Sequence, residues 1–163
     1  MAGIPQLNEE DIQVMDQALQ DLLEKSDASG ALVIDKGGFL LTQQGDMEVD
    51  TVTLAALASA SFAANECIAG LVQEKTFSTV FQQGDNYSML ILSVDVNCLL
   101  VVIFINKTTT VGAVKHYASD SVITVARQFQ KAEQRDPEHR LDLSALNMAD
   151  PSSLFKQKNP PAS

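Results

Sequence analysis

A chain of 163 residues, 45% hydrophobic and 20% charged, has the composition of one globular domain, long enough to bury a core without disulfides or metals. Its net charge of −10 argues against nucleic acid or an anionic membrane surface as the main partner, because both require concentrated Lys and Arg. No basic-then-apolar leader opens the sequence, and its longest unbroken apolar run, Cys98–Ile105, is too short to span a bilayer as a helix. A cytoplasmic protein without membrane insertion is expected.

Residues 1–8 read as a flexible lead. Asn8 then offers a helix N-cap, and Glu9, Glu10 and Asp11 place negative charge in the first turn, where the helix dipole favours it. Ile12, Met15, Leu19, Leu22 and Leu23 recur at helical spacing up to Lys25, which predicts an amphipathic first helix. Ala31–Asp35 and Phe39–Thr42 flank the turn Lys36-Gly37-Gly38 and read as a β-hairpin.

A second helix is predicted from Asp50, its N-cap, to about Gln73. It carries a large-residue stripe, Leu54, Leu57, Ser61, Ala64, Ile68 and Leu71, expected to cover a sheet. Roughly opposite runs a small-residue stripe, Ala56, Ala60, Ala63, Cys67 and Gly70. An outward helix face normally bears charge, whereas this one is nearly uncharged, so it is expected to receive another backbone at close range. High-propensity alanines filling a core helix are the plainer alternative. Phe62 beside the small stripe, if it projects outward, is either a binding anchor or a block against the usual partner. Cys67 and Cys98, both in apolar stretches, read as buried small hydrophobes rather than as a disulfide framework.

Three strand-like runs follow, Phe77–Gln82, Tyr87–Val94 and Cys98–Asn106, joined by short turn-rich links that predict an antiparallel meander. The last is apolar on both faces, as a central strand covered on both sides would be. Phe77, Thr79, Val80 and Phe81 lie in an uncharged run; at a sheet edge it would lack the usual protection against pairing, and a second copy would satisfy it. A third helix runs from about Val111 to Gln134, with Val114, Tyr117, Ala118, Val122, Val125, Ala126 and Phe129 on its apolar side. Residues 9–134 thus form the domain. Residues 135–163 read as a weakly ordered tail in which Leu143, Leu146, Leu154 and Phe155 are spaced apolar anchors, and Asp150-Pro151 could open a short docking helix.

The order helix, hairpin, long helix, meander, helix resembles that of the roadblock/dynein light chain family. Val49–Leu57 with Ala63-Ala64 resembles the family's alanine-rich central helix. Leu100–Gly112 resembles its last strand and the loop into the final helix, and Phe77–Gly84 its edge strand. Within the family the chain is most similar to the bacterial MglB type, regulators of an MglA-type Ras-like GTPase in polarity and motility. The resemblance covers about residues 9–131. It implies a longin- and profilin-like α/β sandwich, a five-stranded antiparallel sheet flanked by three helices. It also implies a homodimer whose edge strands join and whose paired central helices form a GTPase platform. Ala56, Ala60, Phe62, Ala63 and Cys67 would then be GTPase-interface candidates, and Phe77, Thr79, Val80 and Phe81 dimer-edge candidates.

The residues carry no chemistry of their own. His116 and His139 stand at no metal-ligand spacing, and no nucleophile elbow, P-loop or dinucleotide-binding glycine pattern is present, so no catalytic residue, cofactor or metal is expected. Arg127, Arg135 and Arg140 lie in the last helix and tail, away from the presumed platform. A regulator acting on a GTPase would therefore work as a scaffold without an arginine finger. The alternative is a dimeric adaptor that leaves nucleotide hydrolysis unchanged. A small-ligand sensor is disfavoured by the lack of polar groups within the apolar runs.

Overall fold

The computed structural model describes residues 3–135 and 140–141. In chain order these form β1 (Ile4–Pro5), α1 (Glu9–Ser26), β2 (Gly30–Asp35), β3 (Leu40–Gly45), α2 (Thr51–Leu71), β4 (Thr79–Gln83), β5 (Tyr87–Ser93), β6 (Cys98–Ile105), α3 (Val111–Arg135) and β7 (Arg140–Leu141). Five strands make one antiparallel sheet in the order β3-β2-β6-β5-β4. The expected helix and strand order is therefore present, with β6 at the centre and β4 at an edge. The short pair β1-β7 is an addition.

Strand alternation divides the sheet's side chains between two cores. On one face Ala31, Val33, Leu90, Leu92, Leu100, Val102 and Phe104 meet Met15, Leu19 and Leu22 of α1 and Val114, Ala118, Val125 and Phe129 of α3. On the other, Leu32, Ile34, Val80, Ile91, Leu99 and Val101 meet Ala55, Ala58 and Phe62 of α2. This double coverage explains why β6 is apolar at every position.

Ile4 and Pro5, within the expected lead, are held in place. Ile4 is 3% exposed and packs into the core beneath α1 and α3, and Ile4-Pro5 pairs with Arg140-Leu141. These two pairs lie outside residues 9–134, and each supplies the other with a hydrogen-bonding partner. The tail anchors Leu143, Leu146, Leu154 and Phe155 lie outside the described residues.

The start of α1 and the end of α3 are joined by a buried carboxylate. Asn8 and Asp11 form a reciprocal capping box, Asn8 N–H donating to Asp11 Oδ2 at 2.8 Å and Asp11 N–H to Asn8 Oδ1 at 2.9 Å. Asp11 is fully buried, and it also accepts from Gln128 Nε2 at 2.6 Å and from the Arg135 guanidinium. Burial pushes the Asp11 carboxyl up, but the hydrogen bonds from Asn8, Arg135 and Gln128 together outweigh it and hold the group below its ordinary range.

With a depressed folded pKa, Asp11 contributes stability that is present above the unfolded value of about 3.9 and lost as pH falls through the folded one. Asp11→Ala should cost about 2 kcal/mol at pH 7, discounted for the half-exposed arginine, because it strands Gln128 and Arg135. Urea denaturation should show the gap between native and variant protein narrowing from pH 5 to pH 2; a pH-independent gap would show that the carboxylate's charge is immaterial.

Candidate interaction surface

Helix α2 is capped by Asp50, whose carboxylate accepts from Val52 N–H at 3.1 Å, Thr53 N–H at 3.3 Å and Thr53 Oγ1 at 2.6 Å. Chiefly the Thr53 hydroxyl, followed by the Thr53 backbone N–H, holds the Asp50 carboxyl below its usual range. By length and composition alone, α2 meets the requirement for crossing a bilayer. It is nonetheless seated on the sheet through one face. Ala55, Ala58, Ser59, Phe62 and Ala69 are its buried residues.

A close approach sets this seating. Gly38, at the β2–β3 turn with φ +96°, faces the helix so closely that a Cβ there would lie 3.1 Å from the Cα of Ala56. Ser59 Oγ donates to the Lys36 carbonyl oxygen across the same gap. Lys36 Nζ reaches Glu66 at 3.2 Å and stands 5.2 Å from the centroid of the Phe62 ring. Small residues are thus needed at Ala56 and Ser59, where α2 passes this turn, and Phe62 is the largest fully buried side chain of α2.

This corrects two expectations. Phe62 is 1% exposed and cannot meet a partner. The large stripe covers the sheet only through Leu54, half-buried against the α2-side core: Leu57, Ile68 and Leu71 are 64%, 47% and 84% exposed, with Ser61 half-buried and Ala64 exposed. The inner face is offset by one residue from the expected stripe, a rotation of about 100°. Ala56, Ala60, Ala63, Cys67 and Gly70 do face outward, now flanked by those large side chains and by Val52 and Val72. Cys98 is a buried small hydrophobe whose thiol is pushed well up by burial, whereas Cys67 is exposed.

The outer face of α2 continues into the edge strand β4. Gln82 Nε2 donates to Ser61 Oγ at 3.1 Å, binding the two elements. Val80 points into the α2-side core, Phe81 to the opposite face, where it stacks on Phe104 with centroids 6.3 Å apart, while Thr79 is half-buried. Phe77 precedes the strand and is half-buried. β4 pairs with β5 in unbroken register and with no other described strand, and Thr79–Gln83 holds no charge. The opposite edge differs: β3 pairs with β2 across an irregularity that leaves Leu41 without a partner, and α1 lies along it, accepting from Thr42 through Asp16 and donating from Gln20 to Gln44 at 3.2 Å. Of the two edges, β4 has less to stop another strand from adding. An apolar helix face with no charge but Glu66 is otherwise unusual on a surface.

Among the described residues no cluster of three His, Cys, Asp or Glu is placed to hold a metal. Arg127 and Arg135 belong to α3, beneath the sheet face opposite α2.

The Roadblock/LC7 domain matches residues 15–104. None of the curated proteins matches the chain. Among solved structures, Myxococcus xanthus MglB is 26% identical with a TM-score of 0.72, covering 78% of this chain and 96% of that one. The gliding protein MglB from Thermus thermophilus is 24% identical with a TM-score of 0.72, over 80% and 98% of the two chains. A structure described as MglB with tetrameric arrangement superposes with a TM-score of 0.73 at 24% identity, over 81% and 98%. A Roadblock/LC7 domain from Streptomyces avermitilis shares the fold more loosely, with a TM-score of 0.54.

The two sides of α2 should respond oppositely to substitution. Phe62→Ala should cost about 3–5 kcal/mol by emptying the α2-side core. Ala63→Arg should change stability by less than about 0.5 kcal/mol. Thermal unfolding of both variants checks this, and equal losses would mean that α2 is turned differently.

Proposed function

The chain belongs to the Roadblock/LC7 domain family, and from that premise we propose that it is a homodimeric regulatory partner of a small Ras-like GTPase, acting in the cytoplasm as a scaffold. The observation that supports this most is the joined surface of α2 and β4: an exposed helix face without charge except Glu66, tied through Ser61 and Gln82 to an uncharged open strand. In this reading β4 pairs with β4 of a second copy, extending the sheet, and the two α2 helices form a platform above it. Each Leu or Ile of α2 covered there would contribute about 1.5–3 kcal/mol.

The GTPase-interface residues are then Ala56, Ala60, Ala63 and Cys67, joined by Leu57, Ile68 and Leu71. Stimulation of hydrolysis would come from preference for one conformation of the GTPase, since among the described residues the platform face offers no arginine to the nucleotide. A role in polarity or motility follows from the MglB likeness alone. The adaptor reading keeps the same surface and dimer but no effect on nucleotide turnover.

The test is GTP turnover by a Ras-like GTPase of the same cell, with and without this protein in excess. Turnover should rise, and Ala60→Arg or Ala63→Arg should abolish the rise while the protein stays folded. Arg127→Ala should leave it intact; a collapse in rate with unchanged binding would mean that an arginine is donated after all. Binding without any change in turnover would favour the adaptor. Dimerisation is read separately by light scattering, where Thr79→Pro should yield a monomer by removing a β4 N–H.

A further inference from the structure

The α2 side of the sheet is only half covered. Beyond Ile91 and Val101, which lie under α2, the cross-strand pairs Met89–Ile103 and Tyr87–Ile105 continue on the same face with no helix above them among the described residues. Together with the loop between β3 and α2 they enclose a half-open groove of about 810 Å³. Its apolar wall is Met47, Val49, Tyr87, Met89, Ile103 and Ile105, of which Val49 and Tyr87 are 51% and 58% exposed. Met47 lies directly over Gly30, where any Cβ would collide with its sulfur, so the loop is held against the sheet at this spot. Two flexible thioethers give the wall an adaptable shape. Asp46 and Glu48 stand on the loop side, and no Lys or Arg lines the groove among the described residues.

We infer that this groove receives the chain's own C-terminal segment, through Leu154-Phe155 followed by Lys156 and Lys158. That short stretch combines adjacent large apolar side chains with two positive charges, matching an apolar cleft with an acidic rim. It is also within reach. Leu141 pairs with Ile4 just before the start of α1, while Ser29, just past the end of α1, lines the groove. The span is thus one α1 length, about 27 Å at 1.5 Å per residue, plus the turn round the sheet end to its α2 side, about 10 Å more. The stretch from Leu141 to Leu154 extends to about 43 Å. Occupied, the groove would hold the segment beside Gln82 and Gln83 of the open strand β4, so the tail would sit at the border of the pairing edge. The inference does not depend on any GTPase partner.

The test places a photo-reactive benzoylphenylalanine at position 155 of the full-length chain and locates cross-links by mass spectrometry. Cross-links within one chain to Met47, Met89 or their neighbours are expected. Lys156→Glu with Lys158→Glu should lower their yield at least about five-fold, and Asp46→Lys with Glu48→Lys added should restore it. Cross-links between chains, distinguished in an equal mixture of light and isotope-labelled protein, would overturn the inference in favour of a second copy's tail. Cross-links elsewhere, or a yield indifferent to the charge reversals, would overturn it as well. Because no GTPase is present in the assay, its result is separable from the regulatory reading.

Discussion

Much of this molecule depends on how closely α2 approaches the hairpin beneath it. At Gly38 the helix backbone comes within a single carbon's reach of the turn, and only a residue without a side chain can take up the positive φ found there. That contact sets the height of α2 above the sheet, and with it the sizes tolerated at Ala55, Ala58 and Ser59. It also fixes the rotation of the helix, because Phe62 must fill the wedge that remains, with Lys36 lying over its ring. Once the rotation is set, Leu57, Ile68 and Leu71 have nowhere to point but outward. The exposed apolar surface is thus a mechanical consequence of tight packing on the other side.

The opposite face of the sheet is organised differently. There α1 and α3 are amphipathic, their apolar stripes closing over the sheet and their outer faces carrying the charge. One helix layer is complete as it stands, whereas the other is open. The burial of Asp11 belongs to the complete side. Its carboxylate satisfies a helix start, an amide and a guanidinium at once, so the cost of removing a charge from water is offset locally.

The helices, the hairpin and the meander are legible in the sequence because each is announced by local signals, whereas the edge position of β4 comes from the family resemblance. Asn8 and Asp50 mark helix starts, Gly37-Gly38 a turn, and the unbroken apolarity of Cys98–Ile105 a doubly covered strand. What escapes such reading is non-local or without phase. An amphipathic helix shows which side is buried, but α2 is apolar nearly all round, so its periodicity carries no direction and points to the wrong stripe. The clue lies elsewhere, in the glycine turn that demands small residues opposite it. The strand at Ile4 requires a partner at Leu141, and the burial of Asp11 requires Gln128 and Arg135, far along the chain. For Asp11 a signal is present in the Asn8–Asp11 spacing of a capping box. Ala56, Ala60 and Ala63 face outward as their stripe suggests, whereas Phe62 beside them turns to the inner side.

The inequality of the two sheet edges bears on how large an assembly this fold can build. If both edges were bare, copies could add at either end without limit, as they do in fibrils. Here β3 is kinked at Leu41 and flanked by α1, so among the described residues one edge alone is free to take a strand. Two copies meeting through that edge by a two-fold axis would each consume the other's only site, and growth would stop. In such a pairing the bulge at Leu41 would act as a chain terminator, setting a ceiling on polymerisation from the far side of the sheet.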